Sequence, residues 1–267
     1  MSSVAVERAA RRVSSPAVVW GIAERSLKLI PRVPSTFVPS LIMPVFLTIA
    51  FAGPFSELVA LPGFPADKIL DWVAPMTALQ GAAFAGITTS MAIARDLENG
   101  FYDRFLMSPA SRSSILWGPL LASVLRSLIP LVLLLVVAVG GGAHFKGGVV
   151  ASIASLTLAC LGIGFVAGAW GIGLALRFKT FQIAPLMQMG VFLSIFLSTA
   201  QMPVALLTGW VHAVARFNPM TNVLALARQG FLGDVGWAGT WPGLLSLAGM
   251  AGVLYLFAHR AMQKVVP

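Results

Sequence analysis

The chain has 267 residues, of which 58% are hydrophobic and only 10% are charged, and its formal net charge is +9 at pH 7. A soluble domain carries about 25% charged residues, so this composition excludes an ordinary soluble protein and predicts an integral membrane protein. The positive charge does not indicate nucleic-acid binding, because the basic residues sort by membrane side instead of forming one stripe. The single cysteine, Cys160, excludes a disulfide framework and a thiolate metal cluster.

The N-terminal part of the chain predicts a tail followed by an amphipathic helix. Residues 1–14 are polar and basic and predict a cytoplasmic tail, since the first 30 residues lack the apolar region of a signal peptide. Over residues 15–32, apolar and charged side chains fall on opposite arcs of a helix. The charged arc includes Glu24, Arg25 and Lys28. We interpret this segment as an interface helix whose basic face contacts anionic lipid headgroups, although a calmodulin-like target helix has a similar pattern.

Six apolar stretches of about 20 residues or more are each long enough to cross a hydrocarbon core of roughly 30 Å as a helix. Helices are expected because lipid offers the backbone no hydrogen-bond partners. The predicted spans cover residues 34–54, 70–94, 114–139, 148–176, 181–201 and 241–259. The fourth contains Gly164 and Gly168, at a spacing that favours close helix packing. The sequence therefore predicts an all-α integral membrane protein with six transmembrane helices, in a single domain over residues 15–267.

The placement of lysine and arginine predicts the orientation of the spans. These residues concentrate before the first span, between spans two and three, between spans four and five, and after the last span. The opposite side holds only Lys68, Lys146, Arg216 and Arg228. By the positive-inside rule, both termini are predicted to be cytoplasmic, as an even number of spans requires.

Two segments between the predicted spans are more than simple loops. Residues 95–112 form a short charged segment that also carries aromatic residues. On the opposite side, Asn218 before Pro219 has the arrangement of an N-cap followed by a helix-starting proline, and Gly233 would end that helix. The helix is too short to span the membrane, so residues of about 216–233 predict a re-entrant outer segment before the last span.

The chain has no sequence motif for an energy source or for hydrolysis. It lacks the G-x-x-x-x-G-K-[ST] loop that cradles phosphates and the G-x-S-x-G and H-E-x-x-H motifs of hydrolases. Its carboxylates and histidines lie outside the predicted spans or at their edges, whereas a proton-coupled transporter needs such groups inside them. These patterns predict a non-enzymatic helical pathway driven by a partner, with residues 95–112 as the surface on which that partner acts.

Two clusters of residues resemble the signatures of type-2 ABC exporter permeases. The first cluster matches E-x-G…R…P…R…G and consists of Glu98, Gly100, Arg104, Pro109, Arg112 and Gly118. The second is Asn218-Pro-Met-Thr followed by Arg228. The chain is most similar to the daunorubicin-resistance-type branch, whose small six-span permeases are encoded apart from their ATPase.

This resemblance implies a division of labour between subunits. The loop between spans two and three would form a coupling helix over about residues 97–107 that docks on an ABC ATPase. The residues carried over to this role are Glu98, Gly100, Phe101, Tyr102, Arg104 and Phe105. The alternative is a solvated loop whose aromatic side chains lie in the membrane interface.

The resemblance also implies the partners and the location of the chain. Two copies of an ABC ATPase would bind ATP and Mg²⁺, so no cofactor is expected in this chain. A second permease subunit, identical or paralogous, would complete the pathway in the bacterial cytoplasmic membrane. The interface helix would move with the docked ATPase.

Two arginines and one span leave alternatives open. Arg126 lies well inside an apolar run, where it would contact an anionic substrate group, snorkel to the headgroups, or pair with Asp96 or Glu98. The last two interpretations are favoured. Arg228 is explained most simply by capping of the short outer helix's C-terminus. The Met and Phe residues of span five suit either an adaptable hydrophobic surface or ordinary packing, and packing is favoured.

Short outer loops and an apolar interior favour a hydrophobic or amphipathic small molecule, such as a drug or antibiotic, or a lipid as the transported substrate. A polysaccharide or glycolipid exporter is the main alternative, because such permeases share the six-span fold. A passive channel and a membrane scaffold that binds an ATPase without transporting are alternatives from other classes. The absence of lining charges disfavours a selective ion channel.

Overall fold

The computed structural model describes residues 15–30, 34–107 and 110–265. Within those ranges the chain forms α-helices and short 3-10 helices, and no strand, as the all-α prediction requires. The α-helices are α1 (Ser15–Lys28), α2 (Pro34–Ala52), α3 (Ile69–Glu98), α4 (Phe101–Leu106), α5 (Arg112–Gly140), α6 (Val149–Phe178), α7 (Ala184–Phe196), α8 (Gly209–Phe217), α9 (Pro219–Leu232) and α10 (Trp237–Val265). The 3-10 helices cover Ser56–Ala60, Phe181–Ile183 and Val204–Leu206. The predicted tail, residues 1–14, lies outside the described residues.

Helices α5, α6 and α10 are long and apolar enough to cross a membrane. They have 29, 30 and 29 residues, which makes each roughly 45 Å long. Two apolar helical stretches are shorter: Ser40–Ala52, which is part of α2, and Phe181–Phe196, which combines a 3-10 helix with α7. Helix α3 is as long as α6 but more polar. The apolar helices are those of a multi-pass membrane protein, while the count of six spans stays a prediction.

Helix α3 lies at the centre of the molecule and packs against α2, α5, α6, α7 and α9. Buried residues follow one another along nearly its whole length, from Ile69 to Ala94. They include Thr77, Gln80 and Ser90, polar side chains that are costly in contact with lipid. Since other helices surround α3, its composition is less apolar than that of α5, α6 or α10.

Small residues bring α3 and α6 into direct backbone contact. A Cβ atom on Gly86 would lie 2.7 Å from the Gly164 carbonyl oxygen and 2.7 Å from the Gly168 backbone nitrogen. Across the same contact, Ser90 Oγ donates a hydrogen bond to the Gly168 carbonyl oxygen (3.2 Å). These distances confirm that Gly164 and Gly168 serve helix packing, as their spacing predicts.

The two ends of the helix bundle differ in charge. One end, which we call the basic end, contains α1, α4 and the connection from α6 to α7. Its basic residues are Arg25, Lys28, Arg95, Arg104, Arg112, Arg177, Lys179, Arg260 and Lys264. At the opposite end, the far end, the backbone N–H of His144 donates to Asp71 Oδ1 (2.7 Å), and Lys146 pairs with Asp67 (2.8 Å). The basic residues that predict the cytoplasmic side thus gather at one end, and the orientation in the membrane stays a prediction.

Candidate functional site

The connection from α3 to α5 contains the predicted coupling helix, and the structure divides that helix in two. Helix α3 continues to Glu98, Asn99 and Gly100 form a turn, and α4 covers only Phe101–Leu106. Gly100 has a φ of +69°, in the left-handed region that favours glycine. The helix predicted over about 97–107 is therefore shorter in the structure, because Gly100 breaks it and leaves Glu98 in the last turn of α3.

The aromatic side chains of α4 pack toward α1. Tyr102 is only 3% exposed, and with Phe105 it lines a narrow cleft against Ile22. Burial raises the pKa of the Tyr102 hydroxyl above its usual range, and the Asp96 carboxylate raises it further, so this side chain is neutral. Phe101 packs edge-on against Phe105, with ring centroids 5.5 Å apart. Tyr102 is thus almost fully buried, while the role of the α4 aromatic residues in ATPase coupling stays a prediction.

One face of this connection remains exposed. Its exposed residues are Glu98, Asn99, Gly100, Phe101, Arg104 and Met107; we call this set the α3–α4 surface. Met107 is the most prominent apolar side chain, at 81% exposed. Phe105 lies behind this face and is partly buried. The surface combines charged groups with two apolar side chains, a combination that suits a protein partner.

Arg25 joins α1 to this connection by an ion pair and two aromatic contacts. Its Nη1 lies 2.8 Å from Asp96 Oδ2. Its guanidinium carbon lies 4.6 Å from the centre of the Phe101 ring and 5.6 Å from that of Phe105. Lys28 pairs instead with Glu24 inside α1 (2.5 Å). Arg25 therefore has a carboxylate and two aromatic rings within its reach, while the contact of the basic face of α1 with lipid headgroups stays a prediction.

Arg126 is buried against the C-terminal turn of α1. It is 4% exposed, and its Nη2 donates to the carbonyl oxygen of Ser26. Carbonyls in the last turn of a helix have no intrahelical partner and form the negative end of the helix dipole. The predicted partners of Arg126 are engaged elsewhere, since Asp96 pairs with Arg25 and Glu98 binds the segment before α7. Arg126 thus binds the end of a helix, whereas the sequence predicts a carboxylate or a headgroup as its partner.

The α3–α4 connection is also tied to the segment that precedes α7. Glu98 Oε1 accepts a hydrogen bond from Thr180 Oγ1, and its Oε2 accepts one from the Phe181 backbone N–H, both at 3.3 Å. The Arg95 guanidinium lies over the Phe181 ring, 4.3 Å from its centre. The Glu98 carboxylate is thereby held at the N-terminal end of α7, where the helix dipole favours negative charge. These contacts connect the α3–α4 surface to α7.

The predicted helix after Asn218 is present with both of its ends. Helix α9 begins at Pro219, and Asn218 Oδ1 accepts a hydrogen bond from the Met220 backbone N–H (2.9 Å). Gly233 follows the helix with a φ of +89° in the left-handed region. The helix and its two caps are confirmed, whereas its re-entrant position in the membrane stays a prediction.

Helix α8 was not predicted from the sequence. It covers Gly209–Phe217, and its exposed apolar residues are Trp210, Val214 and Phe217. Their spacing of four and three residues places them on one face of a helix. That spacing was the signal available in the sequence for a second, amphipathic helix in this segment.

Arg228 of α9 binds carbonyl groups that belong to other parts of the chain. It is 2% exposed. Its Nη1 and Nη2 donate to the carbonyl oxygens of Thr199 and Ala200, each at 2.6 Å, and its Nε donates to that of Trp72 (3.0 Å). Its guanidinium carbon lies 3.6 Å from the centre of a Trp72 ring. The prediction that Arg228 caps its own helix is therefore wrong. Gly233 ends α9, and Arg228 instead donates to carbonyl groups of other segments, two of which follow α7.

The carbonyls near and beyond the C-terminus of α7 receive donors from two residues of the second motif, Asn218 and Arg228. Helix α7 ends at Phe196. Asn218 Nδ2 donates to the carbonyl oxygens of Ser194 (2.8 Å) and Leu197 (2.9 Å), next to the two that Arg228 binds. A helix that ends in apolar surroundings leaves carbonyls whose lack of partners costs free energy. Asn218 and Arg228 therefore stabilise the end of an interrupted helix.

A groove runs between α2, α3 and α7 in the half of the molecule nearer the basic end. Its volume is about 630 Å³. Its walls include Met43 and Phe46 of α2, Phe84 and Thr88 of α3, and Gln188 and Phe192 of α7. A smaller cavity of about 170 Å³, the far-end cavity, lies between α2, α3 and residues 200–202. Within the described residues, no group of three or more His, Cys, Asp or Glu side chains is placed to hold a metal ion.

This bundle of apolar helices, with a groove and an exposed polar turn at its basic end, has the organisation of a membrane transport subunit. The ABC-2 type transporter family matches residues 17–232, and the chain belongs to that family. The "Daunorubicin resistance ABC transporter permease protein DrrB1" of Streptomyces coeruleorubidus is 23% identical over 264 residues, which cover 96% of this chain and 88% of that relative. The "Probable doxorubicin resistance ABC transporter permease protein DrrC" of Mycobacterium tuberculosis (strain CDC 1551 / Oshkosh) is 26% identical over 166 residues, which cover 62% of this chain and 59% of that relative.

These matches confirm the branch that the sequence motifs predict. The chain is a type-2 ABC permease of the daunorubicin-resistance branch. It is a multi-pass membrane protein of a family whose members are non-enzymatic permease subunits and associate with an ABC ATPase.

Proposed function

We propose that this chain is a permease subunit of an ATP-driven exporter for a hydrophobic or amphipathic small molecule or a lipid. The observation that carries the proposal is the groove between α2, α3 and α7. Polar side chains at membrane depth face a protein interior or a water-filled cavity rather than lipid, and Thr88 and Gln188 line this groove. On its α2 wall, Ile42 and Phe46 are each 59% exposed. An open groove of this mixed character fits one half of a pathway that a second permease, identical or paralogous, completes.

The energy for transport is proposed to arrive at the α3–α4 surface. Two copies of an ABC ATPase, which bind ATP and Mg²⁺, would dock beneath two permeases, one on each such surface. The basic end would then lie in the bacterial cytoplasm together with both chain termini. Ion pairs and exposed apolar side chains at this surface would fix the register of the docked subunit.

A connected set of contacts leads from the docking surface to the groove. Glu98 belongs to the α3–α4 surface and binds Thr180 and Phe181, which precede α7. Helix α7 in turn contributes Gln188 and Phe192 to the groove. Displacement of the α3–α4 surface by a closing ATPase would therefore move one wall of the groove.

The groove favours a drug-sized substrate over a polysaccharide. Its volume of about 630 Å³ falls in the range of roughly 300–1,000 Å³ that is usual for small-molecule sites. Its walls are mainly apolar and aromatic, whereas a hydrated polysaccharide would require more hydrogen-bonding groups. Two relatives are named for resistance to daunorubicin and doxorubicin, which supports an amphipathic polycyclic substrate.

The experiment is transport by the permease and its co-purified ATPase in proteoliposomes, with daunorubicin and a fluorescent phospholipid as separate probes. We expect movement of at least one probe that requires ATP and is lost with an ATPase unable to hydrolyse it. Flux that is independent of ATP would indicate a passive channel. A stable complex that hydrolyses ATP but moves neither probe would indicate a non-transporting scaffold.

A further inference from the structure

Helix α3 presents one continuous stripe of residues to the seam between α2 and α7. The stripe consists of Val73, Met76, Gln80, Phe84, Ile87 and Met91. Their spacings of three and four residues place them on the same face of the helix. Five of the six side chains are apolar, and Gln80 is the exception.

Gln80 lies between the two spaces that open along this stripe. Val73 and Met76 line the far-end cavity, while Phe84 and Ile87 line the groove. Both spaces are bounded by α2, by α3, and by α7 or the residues that follow it. Gln80 lines neither space itself, but its position on the helix between Met76 and Phe84 places it beside the route that a molecule would take from the groove to the far end along this seam.

The Gln80 side chain is fully buried, and both polar atoms of its amide lack a hydrogen-bond partner within the described residues. Thr77, one helical turn before Gln80, is already engaged: its Oγ1 lies 2.7 Å from Thr48 Oγ1 and bonds to the Val73 and Ala74 carbonyls. Burying an amide without partners is unfavourable, and such groups in native proteins call for a specific explanation. Packing does not provide one, since Leu or Met would fill the position without this cost.

We propose that the Gln80 amide is a hydrogen-bonding subsite of the transport pathway for apolar molecules that carry hydroxyl or carbonyl groups. The amide has two N–H donors and one carbonyl acceptor, so it can bind either group. When a molecule passes from the groove to the far-end cavity, its hydroxyl or carbonyl group forms a hydrogen bond with Gln80 while it is out of water. An analogue without that polar group gains no hydrogen bond at this position and therefore passes more slowly. This inference rests on the proposed export function.

The test compares two probes of the same shape, 1-hydroxypyrene and pyrene, in proteoliposomes that contain the permease with its ATPase. We expect the wild type to transport 1-hydroxypyrene about tenfold faster than pyrene at subsaturating concentration, and Gln80→Leu to bring this ratio close to one. The control Leu79→Met changes a buried neighbour that faces neither space and conserves volume, so the wild-type ratio is expected to persist. Gln80→Leu is also expected to unfold at the same temperature as the wild type or higher, because it removes two unpaired polar atoms.

Two results would overturn the subsite. One is equal transport of the two probes by the wild type, or failure to transport either, while daunorubicin or the phospholipid still moves with ATP. The other is a Gln80→Leu variant that retains the wild-type ratio or slows both probes by the same factor. If the wild-type complex moves none of these molecules with ATP, the proposed export function fails and the subsite fails with it.

Discussion

Two buried arginines of this permease bind backbone carbonyls of other elements, whereas the sequence predicts a carboxylate or a headgroup for Arg126 and the end of its own helix for Arg228. Arg126 binds the Ser26 carbonyl in the last turn of α1, and Arg228 binds carbonyls at Trp72, Thr199 and Ala200. A guanidinium offers five donors in a rigid plane, which suits several acceptors at once. Where a helix ends inside an apolar bundle, such a side chain satisfies carbonyls that no further helical turn can reach.

Arg228→Met should lower the stability of the folded protein substantially. The change leaves three buried carbonyl oxygens without their donor, and we expect a loss of more than about 2 kcal/mol in unfolding free energy. Arg228→Lys should recover only part of this, because an ammonium group cannot span the three acceptors in one plane. Thermal unfolding of the purified protein in lipid nanodiscs measures the effect. The control is Arg216→Met, since Arg216 is exposed on α8, and an equal unfolding temperature for both Met variants would contradict the assigned role.

At the scale of helices, close packing rests on glycines whose neighbours are backbone atoms. A Cβ on Gly86 meets the backbone of α6 at 2.7 Å, and side-chain rotation cannot relieve that contact. We therefore expect Gly86→Ala to cost about 1–3 kcal/mol, as overpacking usually does. The matched control is Gly252→Ala in α10, where a Cβ would meet no atom within 4 Å. That variant should be as stable as the wild type or slightly more so, because alanine favours helix. Equal destabilisation by the two substitutions in a thermal unfolding assay would refute the close α3–α6 contact.

The attachment of α1 is a second property of the elements. Asp96→Asn removes the ion pair with Arg25, while the aromatic contacts of Arg25 and the packing of Ile22 near Gly118 remain. We expect amide hydrogen exchange in α1 to rise about fivefold, which corresponds to a partly buried pair of about 1 kcal/mol. Lys28→Gln is the control, since its ion pair with Glu24 lies within α1. Unchanged exchange in Asp96→Asn, or an equal rise in both variants, would show that the ion pair does not hold α1.

The sequence predicted the elements better than it predicted their contacts. The successful predictions depend on local spacing and cap chemistry, which a sequence displays directly. They are the helical class, the helix from Pro219 with its Asn218 and Gly233 caps, and the packing role of Gly164 and Gly168. The partners of Arg25, Arg126 and Arg228 depend on which distant elements meet, and neither charge nor local spacing displays that. Helix α8 was missed because its signal is a single apolar face only nine residues long. Gly100 belongs to the first motif, but a motif does not display a left-handed conformation, so the sequence predicts a longer helix than α4.

In the whole molecule, three connected regions would link the ATPase to the transport pathway. The α3–α4 surface receives the ATPase, the Glu98 contacts lead to α7, and α7 forms a wall of the groove. The interrupted end of α7 is held by Asn218 and Arg228, so that motion at the basic end would act on a helix fixed at its other end. Docking at the α3–α4 surface is the step on which the rest depends.

Site-specific cross-linking of the intact complex in native membranes tests that step most directly. Cys160→Ser removes the native thiol, and Met107→Cys and Trp237→Cys are then each labelled with a thiol-reactive photo-cross-linker. Met107 is 81% exposed at the basic end, and Trp237 is 73% exposed at the far end. We predict that Met107→Cys forms an adduct with a nucleotide-binding subunit and that its yield changes when ATP is added, while Trp237→Cys forms none. Two results would contradict docking at the α3–α4 surface. One is labelled Met107→Cys that yields no such adduct in an actively transporting membrane, and the other is an adduct formed only from Trp237→Cys.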